Sequence, residues 1–200
     1  MILSLLSLIL GLMLLINNAT EDIQAKNSSE SIISDLKAEM EKKIIDQKDN
    51  FTEELLLDDL EELEDVVFEM PEIEIDNIKC IGVLDIPSVN CNLPIAKEWN
   101  YDILKKMPGI YYGNYYNKLI IAGHNYKTGQ FGVLKNVKIG DSVFITTVDN
   151  DIIEYKVETI EILNDTDVEK MINTEYDLTL FTCTYNGKKR LTIRCNKTNN

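Results

Sequence analysis

In 200 residues the chain has a single histidine, a single tryptophan, two arginines, four prolines and four cysteines. Each scarcity excludes something. Four prolines and nine glycines leave no room for collagen-like or proline-rich material. The cysteines stand at 80, 91, 183 and 195, at spacings of 11, 92 and 12, which match no Cys-x-x-Cys zinc pattern. One histidine cannot complete such a site, so no metal is expected. Positive charge is also short. The net charge is −14 and the sequence pI about 4.5, which repels a phosphate backbone, so nucleic acid is not an expected partner. Hydrophobic residues at 44% and charged residues at 27% exclude wholesale disorder.

The acidity is not spread evenly. Residues 1–76 carry 20 acids against 5 lysines, whereas residues 77–200 carry 14 acids against 15 basic residues. A step of this kind marks a boundary between a solvated accessory segment and a folded unit, and it falls near Pro71. Three regions are therefore expected: an anchor at 1–19, an acidic helical stalk or linker at 20–71, and a folded domain at 72–200. The last carries every chemical motif and is close to neutral, so it is expected to fold by itself.

Residues 1–16, MILSLLSLILGLMLLI, are uncharged and almost wholly apolar. The run lies between a spanning helix of about 20 residues and a signal core of roughly 7–15, with no clean small-x-small cleavage site after it. An uncleaved signal anchor fits best. No basic residue precedes the run and Lys26 is the first after it, so the positive-inside rule lends no support, and a start a few basic residues upstream is expected. Over 28–70 the spacing predicts helix. Ile32, Leu36, Met40 and Ile44 recur every four residues, and Leu56, Leu60, Leu63 and Val67 every three or four. Such a helix is either a solvated spacer or an element that docks on the domain and regulates it.

Beyond Pro71 the character changes to short runs rich in Ile, Val, Thr, Leu and Tyr: 78–86, 118–122, 142–148, 152–162, 178–184 and 190–195. Turn signals separate them, which predicts an all-β barrel or sandwich. Brief helices fit 100–106 and 167–172. A disulfide between Cys80 and Cys91 is conceivable, but a hairpin turning near Pro87 would leave the two out of register.

Chemistry concentrates at two places. His124, the lone imidazole, follows the apolar run 118–122 and Gly123, at a strand end. Cys183 closes the run Leu178-Thr179-Leu180-Phe181-Thr182-Cys183 and precedes Asn186-Gly187, the strongest short hairpin signal. A two-residue turn there sets Cys183 opposite Arg190 and Cys195 opposite Leu178, with directly facing Cβ atoms about 4.5–5.5 Å apart. A guanidinium beside a thiol favours the thiolate or holds an oxyanion. Cys183, His124 and Arg190 thus supply a nucleophile, a general acid/base and an electrostatic stabiliser. Arg194 falls on the same strand face about 13 Å further along, so its loss is expected to cost far less than that of Arg190. Cys195, with no charged partner, is expected to be structural.

Ile121-Ala122-Gly123-His124, Thr179-Leu180-Phe181-Thr182-Cys183 and the downstream Arg190 resemble the three signatures of the sortases. Ile81–Pro87, Leu93-Pro94-Ile95, Phe131–Leu134, Gly140-Asp141 and Asp165–Val168 extend the resemblance over roughly residues 77–196. It implies an eight-stranded β-barrel with short helices, preceded by a membrane anchor, on a Gram-positive cell. It also implies a cysteine transpeptidase that cleaves a C-terminal LPxTG-type sorting signal after Thr and passes the thioacyl-bound protein to an amine. The implied partners are surface proteins bearing the signal, a peptidoglycan precursor or pilin lysine as acceptor, and the membrane, with the catalytic domain on its extracellular face. By motif, Cys183 is the nucleophile, His124 the acid/base and Arg190 the oxyanion and substrate ligand. Ala122 and Thr182 lie beside the substrate groove, and 164–177 is the segment that covers it. The Cys-to-Arg connection is short, no Asp-Pro-aromatic lid precedes the barrel, and Glu98 and Asp102 are the only acids before the histidine strand that could serve a calcium cluster. Neither cofactor nor metal is therefore implied. Two rivals stand beside this reading: a cysteine endopeptidase that only hydrolyses, and a non-catalytic anchored barrel.

Overall fold

The computed structural model describes residues 2–51, 69–185 and 187–198. Its first element is one continuous helix, α1 (Ile2–Phe51), about 75 Å long at the α-helical rise. Leu6 to Ile16 are exposed on every side, and α1 is long and apolar enough to cross a membrane. The helical expectation over 28–70 holds as far as Phe51, and the second stripe, Leu56, Leu60, Leu63 and Val67, lies outside the described residues.

Nine strands follow: β1 (Ile73–Ile75), β2 (Ile78–Ile86), β3 (Cys91–Ala96), β4 (Gly109–Gly113), β5 (Leu119–Gly123), β6 (Ser142–Thr147), β7 (Ile152–Asn164), β8 (Leu178–Cys183) and β9 (Lys189–Lys197). Eight of them close into a barrel in the order β2-β3-β4-β5-β8-β9-β7-β6, with β6 returning to pair β2. The three-residue β1 adds to β2 from outside the ring. Closure removes the open edges that a sheet would otherwise present. Short helices α2 (Tyr101–Leu104) and α3 (Val168–Ile172) sit in the connections, as expected.

Strand alternation fills the barrel. Leu178 and Leu180 of β8 and Ile193 and Cys195 of β9 point inward with Leu84, Ile95, Ile121 and Ile145, all fully buried. β2 feeds two cores, because a bulge between Cys80 and Gly82 shifts its phase. Ile81 and Leu84 face the interior, whereas Ile78, Cys80 and Val83 face outward. That outer patch is covered by Ile32, Leu36 and Met40 of α1, the stripe at every fourth residue. Of the two expectations for this helix, docking is the one the structure shows, over Ala25 to Met40. All four cysteines are free thiols, with Cys80 and Cys91 out of register in the β2–β3 pairing.

Candidate active site

β5 and β8 are neighbours and run parallel, with Ala122 paired to Phe181 and Gly123 to Thr182. Adjacent strands lie about 4.8 Å apart, and His124 and Cys183 follow directly on the last paired positions of the two strands, although His124 is not among the residues that line the groove with Cys183. Gly123 admits no side chain, since a Cβ there would lie 2.4 Å from the Phe131 ring. On the other side of β8, β9 is antiparallel and pairs Cys183 with Arg190 and Leu178 with Cys195. The register is the one that the Asn-Gly signal predicts. The crossover is longer than two residues, because the last ladder bond runs from the Thr184 N–H to the Lys189 carbonyl at 2.8 Å. Gly187, in the left-handed region at φ +71°, donates to the Thr184 carbonyl instead.

Cys183 is the half-buried thiol of the four. Burial pushes Cys80, Cys91 and Cys195 up to about 12, which leaves them inert near neutrality. The Arg190 guanidinium is anchored on the hairpin, with Nη1 donating to the Gly187 carbonyl at 2.8 Å and the Lys189 carbonyl at 3.2 Å. Among the described residues its remaining donors have no partner, which leaves them to meet an incoming oxygen. His124 is half-buried and stacked on Tyr126, with ring centroids 4.1 Å apart and planes 9° off parallel. Its Nδ1 accepts the Asn125 N–H at 3.2 Å, so the neutral ring keeps its proton on Nε2. Desolvation holds its pKa below the ordinary imidazole value; Glu21 opposes the shift and Lys105 adds to it.

A groove of about 250 Å³ opens over this face, and Ala122, Cys183 and Arg190 line it together. Thr182 is placed differently. It is buried, and its hydroxyl donates to the Gly123 carbonyl at 2.8 Å, beneath the groove and not into it. One wall is aromatic: Tyr101 meets Trp99 edge-on at 6.3 Å, Trp99 lies 5.6 Å from Tyr111, and Tyr111 meets Phe181 edge-on at 5.2 Å. The opposite wall is the 164–177 segment, through Asp165, Val168 and Met171. Sequence reading missed the aromatic wall, whose one signal was the lone tryptophan. It placed Arg194 on the strand face of Arg190, as the structure has it, but gave no sign that this side chain is fully buried. Among the described residues, no group of three or more His, Cys, Asp or Glu side chains is arranged to hold a metal ion.

The family model described as Sortase domain matches residues 84–198, more than half of the chain. Sortase A from Corynebacterium diphtheriae is similar at 24% identity over 62% of this chain and 62% of its own, with a TM-score of 0.55. The chain therefore spans less than two thirds of that protein. Sortase C from Clostridium perfringens SM101 is similar at 27% identity over 60% of this chain and 71% of its own, with a TM-score of 0.52. A Clostridium perfringens sortase D5 transpeptidase is similar at 19% identity, over 87% of this chain and 98% of its own, with a TM-score of 0.57. At 24% and 19% identity, the first and the last of these carry the fold alone. No curated protein matches the chain.

Proposed function

The chain belongs to the sortase family, and from that membership we propose that it is a membrane-tethered cysteine transpeptidase acting on a C-terminal sorting signal of the LPxTG type. Residues 1–19 anchor it, 20–71 link, and the barrel from residue 72 works on the extracellular face. The observation that carries the reading is the cross-strand pair of Cys183 and Arg190 in a groove beside the strand that His124 follows.

In this reaction the signal lies extended along the groove with its Thr carbonyl at Cys183. The sulfur attacks the carbonyl carbon while His124, neutral at rest, releases the Asn125 N–H and takes the thiol proton on Nδ1. The new oxyanion is held by the donors of Arg190 that the hairpin carbonyls do not occupy. Collapse breaks the Thr–Gly bond, the imidazolium returns its proton to the leaving amine, and a thioester to Cys183 remains. An amine from a peptidoglycan precursor or a pilin lysine then attacks the thioester, gives a proton to His124 and restores the thiol.

The test is turnover of a Leu-Pro-Glu-Thr-Gly peptide by the full chain in detergent, with and without triglycine. A ligated product that needs triglycine, and that Cys183→Ala abolishes, is expected. Cleavage with no ligated product would make the chain a hydrolase, and activity surviving in Cys183→Ala would end the reading.

A further inference from the structure

Arg194 lies on β9 four residues beyond Arg190, and it is only 2% exposed. Its donors reach two strands and one helix. Nε donates to Glu161 Oε1 on β7 at 2.8 Å, and Nη1 to Thr179 Oγ1 on β8, its cross-strand partner, at 3.0 Å. The other two bonds leave the barrel: Nη1 reaches the Met171 carbonyl at 3.1 Å and Nη2 the Lys170 carbonyl at 2.8 Å. Both carbonyls belong to the end of α3, where a helix runs out of its own donors.

A buried guanidinium is costly unless it is charge-paired and its donors are satisfied. Here two of the four bonds hold the guanidinium to the barrel and the other two join it to the segment that covers the groove. α3 offers the groove its other face, where Val168 and Met171 stand opposite the aromatic wall of Trp99, Tyr111 and Phe181. Met171 also packs on Ile120 and Leu163 of the floor. The position of α3 therefore sets the width of the groove, and Arg194 ties α3 to three strands at once.

We infer that Arg194 is a positioning residue, which holds the α3 wall at the spacing at which the groove grips the sorting signal. This deepens the proposed transpeptidase reading and rests on it. Arg194 touches neither the nucleophile nor the substrate, so its effect falls on KM. Arg194→Lys keeps the charge but cannot reproduce a planar fork bonded on four sides. A loss of grip of about 1.4 kcal/mol is tenfold in affinity, so KM for the Leu-Pro-Glu-Thr-Gly peptide is expected to rise ~10-fold. In the same variant kcat should stay within about threefold of wild type, and alkylation of Cys183 by iodoacetamide should be unchanged.

Trp99 is the only tryptophan in the chain and lines the groove, so its emission reports the wall directly. It should shift in Arg194→Lys without any peptide. Thr179→Val removes one acceptor from Arg194 and Glu161→Gln removes its counter-charge; each should show a smaller change in the same direction, and they stand in should Arg194→Lys not fold. Folded variants with wild-type KM and wild-type Trp99 emission would overturn the inference. So would a fall in kcat together with alkylation, which would put Arg194 at the nucleophile. If the wild type fails to turn over the peptide while Trp99 emission still shifts in the variants, the transpeptidase reading falls and the wall-holding role stands.

Discussion

The Thr182 hydroxyl donates to the Gly123 carbonyl at 2.8 Å, so one buried bond ties together the residues that immediately precede Cys183 and His124. β5 and β8 are parallel, and their mutual register at the rim sets how Cys183 and His124, the proposed nucleophile and acid/base, lie relative to each other. Thr182→Val keeps the shape and removes the donor, leaving a buried carbonyl without its side-chain partner at a cost of about 1–3 kcal/mol. The expected result is a folded barrel with a modest loss of thermal stability and a larger loss of kcat, on the order of 10-fold or more. Thr182→Ser, which retains the hydroxyl, should recover most of the activity. Equal activity in Thr182→Val and wild type would mean that the two strand ends keep their positions without this bond.

Arg190 and Arg194 share a strand face and should fail in different ways. Arg190 faces the thiol across the hairpin, and loss of an oxyanion donor typically costs ~10²–10³ in kcat. Arg190→Ala should therefore fall at least that far in kcat, with circular dichroism unchanged and Cys183 still open to alkylation. Arg190→Lys should restore part of the rate, because an ammonium offers a point charge without the fork. A drop in KM-linked terms alone for Arg190→Ala would remove it from the oxyanion role.

Much of this was legible because local signals agreed with the tertiary fold. The Asn-Gly crossover fixed the Cys183–Arg190 register before any neighbour was known. The β-branched runs at 78–86, 142–148 and 152–162 fall on β2, β6 and β7. β3 is not among the strands that composition picks out, and it carries Pro94, a residue that argues against a strand interior. In the fold, β3 meets β4 only at Ala96, so Pro94 has no ladder bond to supply on that side. β4 was missed because Gly109-Ile110-Tyr111-Tyr112-Gly113 is bounded by glycines and bulged against β5. The role of Arg194 was not legible at all. Its partners Lys170 and Met171 lie 24 and 23 residues away in a segment whose docking no local pattern encodes.

The single imidazole makes protonation at the site directly observable by proton NMR. Burial is the first cause of its lowered pKa, so the His124 midpoint should lie below 6.5. Lys105→Ala should raise the midpoint, because the ammonium disfavours the imidazolium, and Glu21→Gln should lower it further. The linkage sign follows. Between the folded midpoint and 6.5 the unfolded chain binds more protons, so the contribution of His124 to stability is complete above 6.5 and is lost as pH falls through the folded value. The acid limb of kcat/KM should track the same midpoint, since the imidazole must start neutral to take the thiol proton. A midpoint above 6.5, or one indifferent to both substitutions, would contradict this account of the site.

Asp22 couples α1 to the loop that carries His124. Its carboxylate accepts the Lys127 N–H at 2.8 Å, and its carbonyl accepts the Thr128 hydroxyl at 3.4 Å. Gly129 lets the helix approach, since it lies in the left-handed region at φ +70° and a Cβ there would sit 2.4 Å from the Lys26 Cα. Further along, Ile32, Leu36 and Met40 cover the outward face of β2. A chain beginning at Glu72 carries every catalytic motif, yet it exposes Ile75, Ile78 and Val83 to water. Burial of a large aliphatic side chain is worth about 1.5–3 kcal/mol, so this chain should be several kcal/mol less stable than one beginning at Ala19. Leu36→Ala, in the full chain, should cost about 2–5 kcal/mol. The two contacts separate by readout. Leu36→Ala should lower the thermal midpoint and leave the His124 titration in place, whereas Asp22→Ala should alter the titration and the rate with little change in stability. Equal thermal midpoints for the chains beginning at Glu72 and Ala19 would show that the docked helix adds nothing to the fold, and the acidic segment would then be a spacer.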